Sequence, residues 1–438
     1  MADSTESILG RPGWSVIRET VSDRNFLLYS IAMTASKTAF YIIAITVTWM
    51  TWEITESGAW LGGINAAMLG AALFLGPFGG ALADRIGLLR AIKLCQILYI
   101  AILLAFSVYL YFYTPTIEFL LAFAILQGLV GSILIPTEIA FVRSIVSDRH
   151  LVASVQIATF IFGIGRLVGP TIAALLITTS LSYPAFAAIT AHVLCLLGLL
   201  CVRVPKTANS PENGSVNQTL AGPGIRHTFK LFSGNTVFIV LLTLFSLTLI
   251  EPDYIVRTYA NFAEISVTHF QNFGSFKSWL LLLIAIPITL WIASRASFRN
   301  FPQYLAWLFV AMCLSIVIAG GAFGLAGDQI LILAIPLISY SLAAAITGIL
   351  VLAIFLLLLP RSVLATGIGI MNLTQAVLTF LVGDSLTHIY DEPFSSIGWA
   401  ILNLAILVLI LYRVWVWLHK RWHHISASLS EPGNTQLK

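Results

Sequence analysis

Long apolar runs, each about the length needed to cross a bilayer, follow one another through this chain with only short polar breaks between them. A spanning helix needs about 20 mostly apolar residues, and twelve stretches meet that requirement. Six lie at 25–51, 57–82, 88–113, 117–142, 150–178 and 182–203. Six more lie at 233–262, 272–294, 303–324, 329–356, 361–388 and 394–418. Lipid supplies no hydrogen-bond partners, so a run of this length must satisfy its own backbone groups as a helix. The expectation is an all-α integral membrane protein with twelve transmembrane helices in two six-helix halves.

Composition excludes the main alternatives. Of 438 residues, 58% are hydrophobic and 10% charged, against roughly a quarter charged in a soluble domain. The net charge of +4 is spread over short clusters, so the continuous basic face that nucleic acid requires is missing. Cys95, Cys195, Cys201 and Cys313 lie in apolar runs without a CxxC spacing and read as small buried apolar residues rather than metal ligands. The polar start, "MADSTESILGRPGWSVIRET", lacks the apolar core of a signal peptide. No nucleotide loop, HExxH or nucleophile–base spacing stands out. An enzyme, a cofactor and a metal are therefore not expected.

Five segments follow from these breaks: a cytoplasmic tail at 1–24, a half at 25–203, a linker at 204–231, a half at 232–420 and a tail at 421–438. The linker, "VPKTANSPENGSVNQTLAGPGIRHTFK", is the longest hydrophilic interruption and is rich in turn formers. With the N-terminus inside, every basic residue except Lys37, Arg166, Arg257 and Lys277 falls in a cytoplasmic tail, the linker, a loop or an adjoining helix end. The opposite loops carry Glu53, Glu56, Glu118, Asp328, Asp391 and Glu392. Both termini are thus expected in the cytoplasm. The halves also echo each other: "ADRIGLLR" at 83–90 and "ASRASFR" at 293–299 each end the second run of their half. A six-plus-six repeat is an architecture of secondary transporters, with the cargo site near the midplane between repeats.

Between the second and third runs lies "GALADRIGLLRAI". It resembles the loop 2–3 signature of the major facilitator superfamily, G-x-L-A-D-R-x-G-R-K-x-x-L, with Gly80, Leu82, Ala83, Asp84, Arg85 and Gly87 on its positions. Leu88 and Leu89 replace two basic residues, for which Arg90 and Lys93 can partly stand in. The second copy is worn, with Ser294 and Ser297 at the aspartate and glycine positions. The resemblance implies a major facilitator fold and a latch in which the loop aspartate faces the start of helix 11, with Arg143 and the "PRSVL" segment at 360–364 as candidate partners. Gly80, Asp84, Arg85, Gly87, Arg90 and Arg143 form the gating set.

In the fifth run, "GIGRLVGPTIAALL" is similar to the G-x-x-x-G-P-x-x-G-G pattern of export-type antiporters, with Ala173 and Ala174 in place of the last glycines. Gly165 and Gly169 would allow close helix approach, and Pro170 a bend. The stretch at 136–170 further resembles the drug:proton antiporter branch that holds macrolide efflux pumps and enterobactin-type siderophore exporters.

Charges inside a span are costly and generally face water or a partner. Lys37 lies ~18 Å into the first run and Arg166 ~24 Å into the fifth. No acid of the first half shares their expected depth, which leaves water, polar partners or cargo; both are taken as candidate binders of an anionic group on the cargo. Gln127 and Tyr254 are further cavity candidates. Asp253, in "LIEPDYIVRTYANF", and Glu138, expected near the inner end of the fourth run, are the candidates for proton coupling. The expected function is a monomeric, proton-driven exporter of a small amphipathic or anionic compound, in the bacterial inner membrane with lipid as its surroundings. The alternative is an importer or facilitator of an organic anion on the same fold.

Overall fold

The computed structural model describes residues 14–147, 150–180, 182–203, 225–248, 301–326, 330–389, 413 and 415–421. The described elements are helices: α1 Trp14–Ser22, α2 Arg24–Thr55, α3 Gly58–Phe74, α4 Gly76–Ile86, α5 Leu88–Phe112, α6 Ile117–Ile145, α7 Leu151–Ile177 and α8 Tyr183–Leu200. They continue with α9 Ile225–Ser233, α10 Thr236–Thr248, α11 Phe301–Ala326, α12 Ile330–Leu358, a 3₁₀ turn Arg361–Val363 and α13 Leu364–Ile389. Among the described residues, five helices are long and apolar enough to cross a membrane, or up to seven if each bent pair counts as one span. The expected runs at 272–294 and 394–418 lie outside the described residues or nearly so, as does the second copy of the loop motif at 293–299.

Two compact units result, one of residues 17–234 with 359–376, the other of residues 1–16, 235–358 and 377–438. In the first unit α2 packs along α7 and α8, α3 on α6, and α5 on both α6 and α8. Ile42, Met50, Leu103, Phe106 and Phe123 lie in its apolar core. In the second unit α12 packs against α10 and α11. There Phe238 meets Phe355 edge-on at 5.7 Å, and the Trp415 indole donates to the Pro302 carbonyl at 2.8 Å.

Local chemistry sets the helix ends. The Asp23 carboxylate accepts the Phe26 amide at 2.8 Å and caps α2. Gly87, with φ of +95°, both closes α4 and opens α5, a conformation that a side chain would strain. Threonines inside the spans, such as Thr46 and Thr51, donate to the carbonyl four residues back, which satisfies their hydroxyls without a partner in lipid. Trp49, Ile97, Val108, Leu194 and Leu197 are exposed, an apolar exterior suited to a hydrocarbon surround.

Three expectations need correction. The run at 57–82 is not one straight helix: α3 and α4 meet at 49° across Leu75. Pro77, in the first turn of α4, has no amide to continue the ladder and crowds the carbonyl four residues earlier. The run expected from 361 begins as a 3₁₀ turn, and α13 proper starts at Leu364. Of the four cysteines, Cys95 and Cys195 are buried, but Cys201 is exposed at the end of α8 and Cys313 is half-buried. All four are free thiols.

Candidate functional site

The first polar centre of the first unit lies where the end of α4 meets the start of α13. The first amides of any helix have no partner within it. Here they find one 281 and 282 residues away: the Ala365 amide donates to Asp84 Oδ1 at 3.0 Å and the Thr366 amide to Oδ2 at 2.8 Å. The Thr366 hydroxyl donates to the same Oδ2 at 2.6 Å. Asp84 therefore caps α13 from outside, a carboxylate on the positive end of a helix.

Close backbone approach makes this possible. A Cβ on Gly80 would lie 2.2 Å from the Ala365 carbonyl oxygen, and one on Gly79 would lie 2.2 Å from that of Ser132 on α6. Arg143, the other residue named for the latch, lies on α6 and is buried. Its guanidinium donates to the Leu359 carbonyl at 2.5 Å, just past the end of α12. The partner of Asp84 within the expected 360–364 segment is displaced, to Ala365 and Thr366. Arg85 and Arg90 are exposed.

The second centre is formed by α2, α6 and α7. Lys37 Nζ donates to Glu138 Oε1, and the pair joins helices more than a hundred residues apart in sequence. This overturns the expectation that no acid shares the depth of Lys37. The α6 helix runs on to Ile145, which places Glu138 about 10 Å from its end at 1.5 Å per residue. Crossing helices then bring that level to Lys37.

The Tyr29 hydroxyl donates to the Glu138 backbone carbonyl at 2.7 Å, and the Tyr29 ring meets Phe141 at a tilt of 59° with centroids 4.9 Å apart. Lys37 Nζ stands 5.9 Å from the centre of the Phe162 ring. Side-chain exposure is uneven, 21% for Lys37 against 5% for Glu138. Glu138 Oε2 is buried with no hydrogen-bond partner among the described residues.

Gly165 and Gly169 set the α2–α7 crossing. A Cβ at Gly165 would sit 2.8 Å from Lys37 Cβ and from the Thr38 amide, and one at Gly169 would sit 2.6 Å from Tyr41 Cβ. Pro170 lies inside α7. Arg166, the neighbour of Gly165, is thus near Lys37 in level, but it is exposed. Asp253 and Tyr254 lie outside the described residues. Gln127 is buried, and its backbone carbonyl accepts the Tyr99 hydroxyl at 3.4 Å.

A third polar group was not apparent from the sequence. His192 Nδ1 and Gln96 Oε1 are 2.7 Å apart, Gln96 Nε2 donates to Ser36 Oγ at 3.1 Å, and the Tyr99 ring stacks on His192 at 5.0 Å. Each polar side chain satisfies another here, which is how an apolar interior accommodates them. Among the described residues, no group of His, Cys, Asp and Glu could hold a metal ion.

Comparison with known proteins places this arrangement. Residues 26–383 match the Major Facilitator Superfamily. The Staphyloferrin A transporter of Staphylococcus aureus is 26% identical over 235 residues, covering 51% of this chain and 58% of that protein. The chain thus spans somewhat over half the length of that relative. A bacterial homologue of the iron transporter ferroportin, in its outward-facing state, superposes with a TM-score of 0.68 at 12% identity, covering 91% of this chain and 100% of the other. The human organic anion transporter MFSD10 gives 0.66 at 14% identity, with 89% and 99% covered. The Major Facilitator Superfamily transporter FucP, in its outward conformation, gives 0.66 at 13% identity, with 93% and 99% covered. With the family matched over most of its length and the fold shared throughout, the chain belongs to the Major Facilitator Superfamily of membrane transporters.

Proposed function

We propose that the protein carries a small amphipathic anion of siderophore-like type by alternating access, energised by the proton gradient and without a resident cofactor. The observation that carries this reading is the Lys37–Glu138 pair, a cation and an acid placed together inside the helices of the first unit. Such groups are costly in a membrane protein unless cargo or a proton uses them. Arg166, exposed at a nearby level on α7, adds a second positive charge. The 26% identical Staphyloferrin A transporter supports a cargo of this class. Asp84 on the α13 terminus serves as the latch, made and broken during the cycle.

Export in exchange for protons is the direction implied by the α7 pattern of Gly165, Gly169 and Pro170. A second reading, uptake of the anion together with protons, is favoured by the orphaned oxygen of Glu138 beside a half-open Lys37. The protein acts as a monomer in the inner membrane, with both termini in the cytoplasm. Purified protein in sealed vesicles of either orientation, under an imposed pH gradient, tests the function against benzoate, citrate and 2,3-dihydroxybenzoate, with benzamide as the neutral control. Saturable, gradient-driven movement of at least one anion and none of benzamide is expected. Equal leakage of all four compounds would contradict the reading.

A further inference from the structure

Glu138 and Lys37 form a neutral pair, but the two residues are placed differently. The ammonium is the member an incoming ligand can reach, at 21% exposed, while the carboxylate is closed off at 5%. An anion that takes the Lys37 charge for itself displaces Glu138 Oε1. The displaced carboxylate would then be left in the interior with both oxygens unpartnered, since Oε2 already lacks a partner among the described residues.

Among the described residues, the groups around Glu138 offer it no replacement cation. Facing it are Tyr29 on α2, Cys95 and Tyr99 on α5, and Cys195 on α8, phenols and thiols without positive charge. On α4, Asp84 is committed to α13, and the exposed Arg85 belongs to the last turn. On α6 itself, Arg143 bonds to Leu359, and α3 has no ionisable residue. On α7, Arg166 is exposed, and His150, which precedes the helix, meets Glu19. Leaving a buried carboxylate without its partner costs several kcal/mol. Neutralising it with a proton is the less costly outcome.

We infer that cargo carboxylate and Glu138 compete for Lys37, so that the anion and one proton occupy the site together. In this step a proton from water adds to Glu138, its bond to Lys37 breaks, and the ammonium, still carrying its own three protons, bonds the cargo carboxylate. The site begins neutral and ends neutral, having gained one proton and one anion. The α7 backbone at Gly165 runs so close to Lys37 that an added Cβ would lie 2.8 Å from Lys37 Cβ, which leaves the change of partner to the side chain. The Phe162 ring, 5.9 Å away, offers the ammonium a favourable face as it moves. Under an inward proton gradient this linkage drives the anion inward, the second of the two directions given above.

The inference rests on the protein being an anion carrier, and the experiment separates the two. Benzoate and citrate are titrated into the full-length detergent-solubilised protein at pH 6.0–8.5, with heat of binding measured in two buffers of different ionisation enthalpy to count protons. Wild type should take up about one proton per benzoate, with affinity falling about tenfold per pH unit once Glu138 is ionised in the free protein. Glu138→Gln should bind benzoate with no proton uptake and a flat pH profile. The double variant Lys37→Gln/Glu138→Gln, which carries neither charge, should fold by thermal melt and bind no benzoate. Proton release on binding, or proton uptake that persists in Glu138→Gln, would overturn the competition while leaving the anion reading intact. No binding of either anion by wild type would overturn both.

Discussion

Two carboxylates of the first unit sit in opposite surroundings. Asp84 has both oxygens engaged, by two amides and a hydroxyl at 2.6–3.0 Å. Glu138 has one oxygen on Lys37 and the other on nothing among the described residues. The donors around Asp84 come from the first turn of α13, so its geometry holds only while that helix end is in place. The donor to Glu138 ends a flexible side chain that can turn elsewhere. A carboxylate satisfied by a helix end suits a latch, because rigid elements must move to release it. A carboxylate half-satisfied by a lysine suits a site of exchange, because only a side chain and a proton need move.

The contrast breaks most visibly at Asp84. Asp84→Asn keeps the size but removes the charge, and a hydrogen bond to a charged group contributes roughly 1.5–3 kcal/mol. Turnover in vesicles should fall about 10- to 100-fold, on the scale of tenfold per 1.4 kcal/mol, with insertion and expression unchanged. Thr366→Val, which removes only the hydroxyl donor and leaves the amides, should cause a smaller loss. Near-normal turnover in Asp84→Asn would remove the latch from the account.

Packing around the exchange pair sets the next effect. Gly165→Ala puts a methyl 2.8 Å from Lys37 Cβ and the Thr38 amide, and overpacking of this kind costs about 1–3 kcal/mol. The thermal melt should drop by several degrees. Gly58→Ala, where nothing lies within 4 Å of the new carbon, should leave the melt unchanged. Equal melts for the two variants would contradict the tight α2–α7 crossing.

Much of this architecture could be read from the residues, because lipid imposes lengths that a sequence must obey. The runs at 88–113, 117–142 and 182–203 end within about three residues of α5, α6 and α8, since their boundaries are changes of polarity. The break at Leu75 was hidden because both sides of it are apolar, although Pro77 was a visible sign. The site was less legible. Asp84 carried a recognisable motif, but its partners Ala365 and Thr366 are ordinary residues joined to it only by the fold. Lys37 was conspicuous as a cation in a span, yet its pairing with Glu138 depends on where two helices cross, which no spacing along one chain encodes. The Ser36–Gln96–His192 contacts were obscure for the same reason: each residue alone looks like an isolated polar substitution in an apolar run.

Arg166 should give the smallest change. It is exposed, whereas Lys37 is engaged, so it can assist an anion without being the group that exchanges. Arg166→Gln should weaken benzoate or citrate binding by about tenfold or less, and Arg166→Lys should recover part of that, since an ammonium restores the charge but not the planar fork. Melts should match wild type. A loss as complete as that of the double variant Lys37→Gln/Glu138→Gln would shift the primary anion site onto α7.

The division of labour between the two carboxylates is tested most directly by comparing anion exchange with gradient-driven accumulation in the same proteoliposomes. Wild type, Asp84→Asn and Glu138→Gln would be loaded with the anion selected by the vesicle panel and assayed for counterflow at equal pH, then for accumulation under an imposed pH gradient. Glu138→Gln should retain counterflow and lose accumulation, because the site still binds and moves anion but no longer links it to a proton. Asp84→Asn should lose both, because the cycle itself is impaired. Accumulation by Glu138→Gln at the wild-type level would contradict the account.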